Sequence, residues 1–329
     1  MEGNLLENKW FAIVNPQAGS GRGRTDWPHI ESLLKSKGVK FSYVLTEHKY
    51  QAVELTVNAI NQGYKKILAV GGDGTLNEIV NGVFIQKLHP TTEINIGVIA
   101  VGTGNDWFRM YKLPATYEGK VDAIKNEKLF LQDVGKVEYE ESKVKQIRYF
   151  ANAAGIGFDA EVARRTNRLK ESGRKGTLLY IGSLIRALFD YKASYINVSI
   201  NDEKLTGSIF SMTIGIGCYN GGGMMQVPNA ISDDGLFDVT VIRHIKKFGV
   251  IRNIYRLYNG TILRHPKISG HRGSLLSVSS NPPVGLEVDG ETLGISPFSF
   301  SVVPQSINVV VGADFHSVTN PVSALCEEE

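Results

Sequence analysis

The apolar run Ile67-Leu68-Ala69-Val70 empties directly into Gly71-Gly72-Asp73-Gly74-Thr75-Leu76-Asn77-Glu78, and this junction constrains the fold more than any other stretch. A short strand with no polar alternation is buried on both faces, which places it inside a parallel sheet covered by helices. Leu76, Ile79, Val80 and Val83 follow at helical spacing, so strand, glycine turn and helix succeed one another without a linker. Glycines let backbone amides approach an anion without a Cβ in the way, and the helix that follows points its own first amides at the same spot. The layout predicts a phosphate-binding turn, with about 0.3–2 kcal/mol from each favourable charge at the helix end. Such a turn positions phosphate and performs no chemistry itself.

The same layout recurs on either side. Trp10 to Val14 reads as a strand ending in Asn15-Pro16-Gln17-Ala18-Gly19-Ser20-Gly21-Arg22-Gly23-Arg24, and Ile96 to Ala100 as one followed by Gly102-Thr103-Gly104-Asn105-Asp106. Between them, Asp26 is expected to cap a helix with Pro28 just inside it, carrying Ile30, Leu33 and Leu34 to a stop at Gly38. Phe41 to Leu45 reads as a strand with Thr46 at its end, and Tyr50 to Asn61 as a helix closed by Gly63. This βαβαβαβ alternation predicts a doubly wound parallel sheet, whose ligands bind outside the carboxyl ends of the strands, where all three glycine turns fall.

Past Leu129 the pattern changes to short alternating segments: Val134 to Tyr139, Ile147 to Ala151, Tyr195 to Ile200, Phe210 to Ile216, Phe237 to Ile242, Leu275 to Val278, Val284 to Val288, Phe298 to Val302 and Ile307 to Val311. Turns such as Asn281-Pro282-Pro283 separate them, and helical insertions at about Ala160 to Tyr191 and Phe248 to Tyr258 interrupt them. The fold class expected is therefore α/β plus β: a doubly wound α/β domain over residues 1–128, an antiparallel β-sandwich over 129–313, and a poorly ordered tail over 314–329. A chain of 329 residues with 42% hydrophobic content can bury cores for two domains.

Taken together, NPQAGSGRG, GGDGTLNEIVNG and GTGNDWFR, in this order and spacing, resemble the diacylglycerol kinase catalytic superfamily in its soluble bacterial lipid kinase branch, with sphingosine and ceramide kinases as relatives. The resemblance spans about Trp10 to Gly312 and implies an α/β domain like that of NAD kinase and phosphofructokinase. It also implies an ATP-dependent, Mg²⁺-dependent kinase that phosphorylates a lipid hydroxyl. The nucleotide contacts it implies are Asn15, Gly21, Arg22, Thr46, Gly71, Gly72, Asp73, Gly74, Thr75, Leu76, Asn77, Gly102, Thr103 and Asn105. Asp73 and Asp106 match a water and magnesium network, although Asp106 also fits a plain helix cap before Trp107. Within Ser232-Asp233-Asp234-Gly235-Leu236-Phe237-Asp238, the resemblance implies a structural Mg²⁺ on Asp234 and the carbonyls of Ile231 and Leu236; by itself the run reads as a turn. Glu287-Val288-Asp289-Gly290-Glu291 carries an Asp-Gly hairpin signal, and in the family the general base sits here, on Asp289 or Glu291. Ala100-Val101 stands where the family usually has a proline, and Trp107 where it has a phenylalanine; both keep the apolar character.

Charge and membrane signals narrow the partners. A net charge of +3 gives no case for nucleic acid. The start of the chain lacks an apolar signal core, and no segment reaches the roughly 20 apolar residues of a membrane span. A cytoplasmic protein with two reduced cysteines is expected, transiently associated with the membrane that holds its lipid substrate. Arg164, Arg165, Arg168, Lys170, Arg174 and Lys175, followed by Leu178 to Phe189, either dock on an anionic bilayer or form a core helix after a basic loop. Gly221-Gly222-Gly223-Met224-Met225 is expected to be a flexible loop beside the acceptor slot. The acceptor and the oligomeric state stay open, a homodimer included. Rival readings are a kinase of a soluble acceptor, since NAD kinases share the GGDGT turn, and a nucleotide-binding regulator without turnover.

Overall fold

A computed structural model of the chain describes residues 6–102, 106–171 and 177–317, with backbone only at 170–171, 177–181 and 183–184. The described residues form two units: one takes the chain up to Val134 with Gly221–Gly223 and Pro304–Ser317, the other Gly135–Asn220 and Met224–Val303.

In the first unit the elements run β1 (Trp10–Val14), α1 (Arg22–Ser36), β2 (Phe41–Leu45), α2 (Gln51–Asn61), β3 (Lys66–Gly71), α3 (Asp73–Ile85), β4 (Asn95–Ala100), α4 (Asp106–Met110) and α5 (Tyr117–Asn126). β1 pairs in parallel with β2 and β3, and β3 with β4. The chain steps from β1 to β2, then passes back to β3 on the other side of β1. Its winding therefore reverses between β1 and β3, which opens a crevice at their carboxyl ends. Ile67 to Val70 are wholly buried, as an unbroken apolar strand requires.

Two details of α2 and α3 hold this half together. A Cβ added to Gly82 would stand 2.6 Å from the Thr56 Cβ, so glycine lets the two helices close on each other. Tyr50, with φ at 67°, offers α2 no side-chain cap. Glu78 of α3 takes that role, accepting the Tyr50 and Ala52 amides at 3.0 and 3.1 Å.

α1 starts a turn earlier than the sequence suggests. Gly21, at φ 97°, takes the left-handed conformation before Arg22, which leaves Asp26 and Pro28 inside the helix. Asp26 therefore caps nothing. It accepts the Arg22 Nε at 3.2 Å and the Tyr117 hydroxyl at 2.6 Å. The Tyr117 hydrogen bond holds the Asp26 carboxyl below its usual range, while burial, helped by Asp26, pushes the phenol up to about 12.

The second unit contains the rest of β5 (Leu129–Glu141), then β6 (Val144–Phe150), β7 (Ala153–Gly157), α6 (Phe158–Glu171), α7 (Thr177–Asp190), β8 (Ser194–Ile200), β9 (Glu203–Gly215), β10 (Phe237–Arg243), α8 (Lys247–Asn253), α9 (Tyr255–Tyr258), β11 (Ile268–Gly273), β12 (Leu275–Asn281), β13 (Gly285–Val288) and the first part of β14 (Glu291–Val310). These pairings are antiparallel: β5 with β6, β8 with β9 and β12, β7 with β9 and β13, β14 with β12 and β13, and β10 with β9 and β11. Phe150 stacks on Phe237 at 5.8 Å in the core, and both meet the edge of Phe300.

Three expectations need correction here. β7 and β11 are strands that alternation does not reveal: β7 reads Ala-Ala-Gly-Ile-Gly and β11 Ile-Ser-Gly-His-Arg-Gly. β7 is small because carboxyl groups press on it; a Cβ on Gly155 would lie 2.7 Å from the Asp159 Cβ and 2.8 Å from a Glu287 oxygen. Ile307 to Val311, read as a sandwich strand, instead ends in the first unit, where Asn308 and Val309 pair in parallel with Asn95 and Ile96 of β4. The change of course occurs at Pro304-Gln305, where Gln305 has φ 42° and donates its amide to Asp133 at 2.6 Å. Finally, the tail expected from residue 314 is held at its start: Phe315 packs on Tyr111 and Phe130, and Lys128 donates to the Ala313 and Phe315 carbonyls at 2.7 Å, while residues 318–329 lie outside the described residues.

Among the described residues no helix is long and apolar enough to cross a membrane.

Candidate active site

The three glycine turns of the first unit are laced together. Asn15, at the end of β1, donates its side-chain amide to the Thr75 hydroxyl in the first turn of α3 at 3.1 Å, across the crevice between β1 and β3. Asp73 accepts the Asp106 amide at 3.0 Å, which ties the second turn to the third. Gly102 and Gly19 close the set: a Cβ on Gly102 would stand 2.9 Å from the Gly19 Cα, and both take positive φ. No side chain larger than hydrogen fits either position. The result is a rim of backbone and short polar groups beside the start of α3, the arrangement that suits a phosphate.

The predicted contacts divide. Asn15, Gly71, Gly72, Asp73, Gly74, Thr75 and Gly102 stand on these turns, and Thr46 adjoins them through its amide, which donates to the Val14 carbonyl at 2.9 Å. Gly21 precedes α1, and Arg22 is engaged by Asp26 at 3.1 Å. Leu76 and Asn77 are buried on α3, with Asn77 accepting from the Asn81 side chain at 3.2 Å. Thr103 and Asn105 lie outside the described residues.

Asp106 is the most constrained carboxylate of the unit. It is buried, and its oxygens accept the Gly222 and Gly223 amides at 2.8 and 2.5 Å. Burial pushes its carboxyl up, against the pull of the two amides. The glycine loop is thus pinned at its centre. Residues 222 and 223 sit at φ 90° and 94°, which a side chain would strain. Asp106→Asn is expected to turn an NH₂ toward an amide N–H and loosen the loop by about 1–3 kcal/mol. Hydrogen exchange at Gly222 and Gly223 reads this directly, and wild-type exchange rates in the variant would refute it.

Lys120 is a site residue that sequence reading misses. It is buried on α5, donates to the Ala100 carbonyl at 2.9 Å, and lies 4.9 Å from the rings of Phe108 and Tyr117. Burial, then the charge of Arg22, pushes its ammonium below the usual range. One lysine in an amphipathic helix carries no signal of its own.

In the second unit the hairpin β13–β14 carries the other carboxylates. Asp289, at φ 46°, turns both oxygens onto backbone: Oδ1 accepts the Ala153 and Asn152 amides at 2.9 and 3.2 Å, and Oδ2 the Ala151 amide at 3.1 Å. Glu291 opens β14 half-exposed. Glu287, which the sequence does not single out, is buried beside Asp159 and accepts the Gly290 amide. Burial drives its carboxyl up to about 8, and the charges of Asp289 and Asp159 add to this. Asp159 is likewise raised by burial, with the Thr213 hydroxyl donating to it at 2.9 Å.

The proposed metal loop already holds a cation. Asp234 accepts the Leu236 amide at 3.0 Å on one oxygen and pairs with Arg272 on the other; the same guanidinium reaches Asp238 at 3.2 Å. Asp238 is pushed up to about 6 by burial, against the pull of Arg272. Arg272 thus balances both carboxylates, and a metal ion on Asp234 would share that carboxylate with the guanidinium. Asp73, a partly exposed hard-oxygen donor at a strand end, does fit a magnesium ion carried in with phosphates.

Comparison with known proteins finds two matches along the chain. Residues 9–137 match the diacylglycerol kinase catalytic domain, and residues 152–311 match the YegS C-terminal NAD kinase beta sandwich-like domain. A diacylglycerol kinase from Staphylococcus haemolyticus is 29% identical over 308 residues, covering 93% of this chain and 88% of its own. One from Staphylococcus carnosus is 28% identical over 304 residues, covering 92% and 94%. Among solved structures, a diacylglycerol kinase from Bacillus anthracis superposes with a TM-score of 0.69 at 18% identity over 93% of this chain and 97% of its own. Yeast NADH kinase superposes with a TM-score of 0.51 at 10% identity over 92% and 83%, a likeness of fold. With the first match over the glycine turns and the second over the sandwich, this chain belongs to the diacylglycerol kinase catalytic superfamily and is an enzyme of the kinase class.

Proposed function

We propose that the protein transfers the γ-phosphate of ATP to the hydroxyl of a diacylglycerol-like lipid, in a magnesium-dependent reaction that feeds phospholipid metabolism. The observation that carries this reading is the lacing of the three glycine turns through Asn15–Thr75, Asp73–Asp106 and Gly19–Gly102. Phosphoryl transfer asks little covalent chemistry of a protein, so a preset rim of amides and short polar groups supplies most of what is needed. Magnesium, when bound, neutralises charge on the phosphates, and Asp73 is the residue that would hold it. Glu291 takes the proton from the acceptor hydroxyl, since Asp289 has both oxygens committed to three backbone amides. Named relatives that align over more than nine-tenths of this chain support the lipid acceptor.

The test is turnover of labelled Mg·ATP against diacylglycerol, sphingoid bases, ceramide and phosphatidylglycerol in mixed micelles, with NAD and sugar phosphates as soluble controls. Label is expected in a lipid product, and Asp73→Ala is expected to lower kcat by about 10²–10³, the effect of losing one preorganised electrostatic contact. Label on a soluble acceptor alone would sink the lipid reading. ATP binding with no turnover on any acceptor would sink the kinase mechanism.

A further inference from the structure

Between Asp238 and Glu287 the chain contains neither Asp nor Glu, while Lys246, Lys247, Arg252, Arg256, Arg264 and Lys267 crowd one part of that span. In a protein of net charge +3 this is a strong local excess. α8 and α9 lie inside it and form nearly one helix, because Ile254 between them keeps helical backbone angles of −59° and −31°.

This helix has two apolar faces, one packed on a core and the other exposed among the described residues. Val250 and Leu257 pack on a small core of Ile245, Ile262 and Ile268. On the other side Phe248, Ile251, Tyr255 and Tyr258 follow at spacings of three, four and three, a single helical stripe, with exposures of 77%, 44%, 52% and 57%. The stripe continues onto the end of α7: Phe248 meets Phe189 edge-on at 5.9 Å, and the Lys247 ammonium donates to the Leu188 and Tyr191 carbonyls. Phe189 is itself 47% exposed. An exposed aromatic cluster ringed by cations is not the surface of a protein meant to stay in bulk water. The field it makes is felt locally: burial, then the charges of Arg256, Lys267 and Arg252, lowers the affinity of His265 for a proton.

We propose that the outer face of α8–α9, with Phe189 at its edge, is a docking surface for an anionic lipid bilayer. Phe248 and Ile251 enter the boundary between headgroups and acyl chains, and Lys246 and Arg252 meet lipid phosphates. This deepens the lipid-kinase reading by naming how the enzyme reaches its substrate, and its physics does not depend on that reading. It also moves the membrane contact away from the basic run at 164–175, where Arg164 and Arg165 are paired with Glu161 at 2.7 and 2.6 Å. Charge decides against a second copy as the occupant, because a two-fold contact would set the same cations against themselves.

The experiment is sedimentation with vesicles of phosphatidylcholine, alone or with one part in four of phosphatidylglycerol, comparing wild type with F248S/I251S and K246E/R252E. All four positions are exposed, and thermal melts establish that the variants fold. Wild type is expected to prefer the anionic vesicles, and each double variant to lose about tenfold or more in partitioning. In F248W, the new indole is expected to shift to the blue on binding and to be quenched by brominated acyl chains, against three buried native tryptophans. Both double variants keep wild-type turnover on a monomeric short-chain diacylglycerol. Partitioning within twofold of wild type, or an F248W signal that vesicles do not move, overturns the proposal. So does a wild-type dimer that F248S/I251S dissolves, which would assign the face to a second copy. Vesicle binding without phosphorylation of any lipid would leave the docking surface standing and remove the kinase reading instead.

Discussion

With Glu291 as the proposed general base, Glu291→Gln is expected to lower kcat by about 10²–10⁴, while the melting temperature and ATP affinity are expected to stay near wild type. Asp289→Ala behaves differently. It strips the acceptor from three backbone amides at Ala151, Asn152 and Ala153, each of which costs about 1–3 kcal/mol if left unpaired, so the melting temperature falls along with activity. The contrast separates two carboxylates two residues apart: one has both oxygens on backbone amides, the other opens a strand and is partly exposed. Paired measurements of kcat and thermal stability on the two variants check this. An inactive, fully stable Asp289→Ala beside an active Glu291→Gln would reverse the assignment.

The second large effect is on stability. Glu287 ordinarily titrates at 4.5, and burial raises it to about 8 in the folded protein. Between these values the folded state keeps a proton that the unfolded chain has released, so stability falls as pH rises. The contribution is complete below about 4.5, declines across the interval and is gone above about 8, for a total on the order of 5 kcal/mol. Glu287→Gln keeps an acceptor for the Gly290 amide and cannot ionise. Thermal scans from pH 5 to 9 are therefore expected to show a downward slope in wild type and a shallower one in the variant, whose melting temperature exceeds wild type by several degrees at pH 9. Asp159, raised by the same burial, keeps some slope in the variant. Parallel curves for the two proteins would rule out Glu287 as the source.

Local chemistry made the first unit readable. Apolar runs, glycines and helix-spaced leucines all act within a few residues, and the parallel sheet with its turns follows from them. What stayed hidden depends on residues far apart in the chain. Nothing near Glu78 announces that it caps α2, and nothing near Asp106 announces that residues 222 and 223 are its partners. β7 was illegible because its smallness answers Asp159 and Glu287, not a neighbour in sequence. That the backbone occupies Asp289 is likewise hidden, since the amides it accepts lie more than 130 positions away in the chain. The same holds for Arg272, which stands on Asp234 and Asp238 from 38 and 34 positions away.

The return of β14 to β4 bears on how the protein comes into being. The first unit is discontinuous in the chain: its parallel sheet lacks its last strand until Asn308 and Val309 reach Asn95 and Ile96. On the ribosome, β4 must wait with an unpaired edge while more than half of the molecule is still to be made. A fragment cut after the catalytic-domain match at residue 137 keeps that open edge permanently, and with it a template for pairing with other chains. The first unit is thus finished only by a stretch of chain that follows the whole of the second, and residues 9–137 alone are not an independent module.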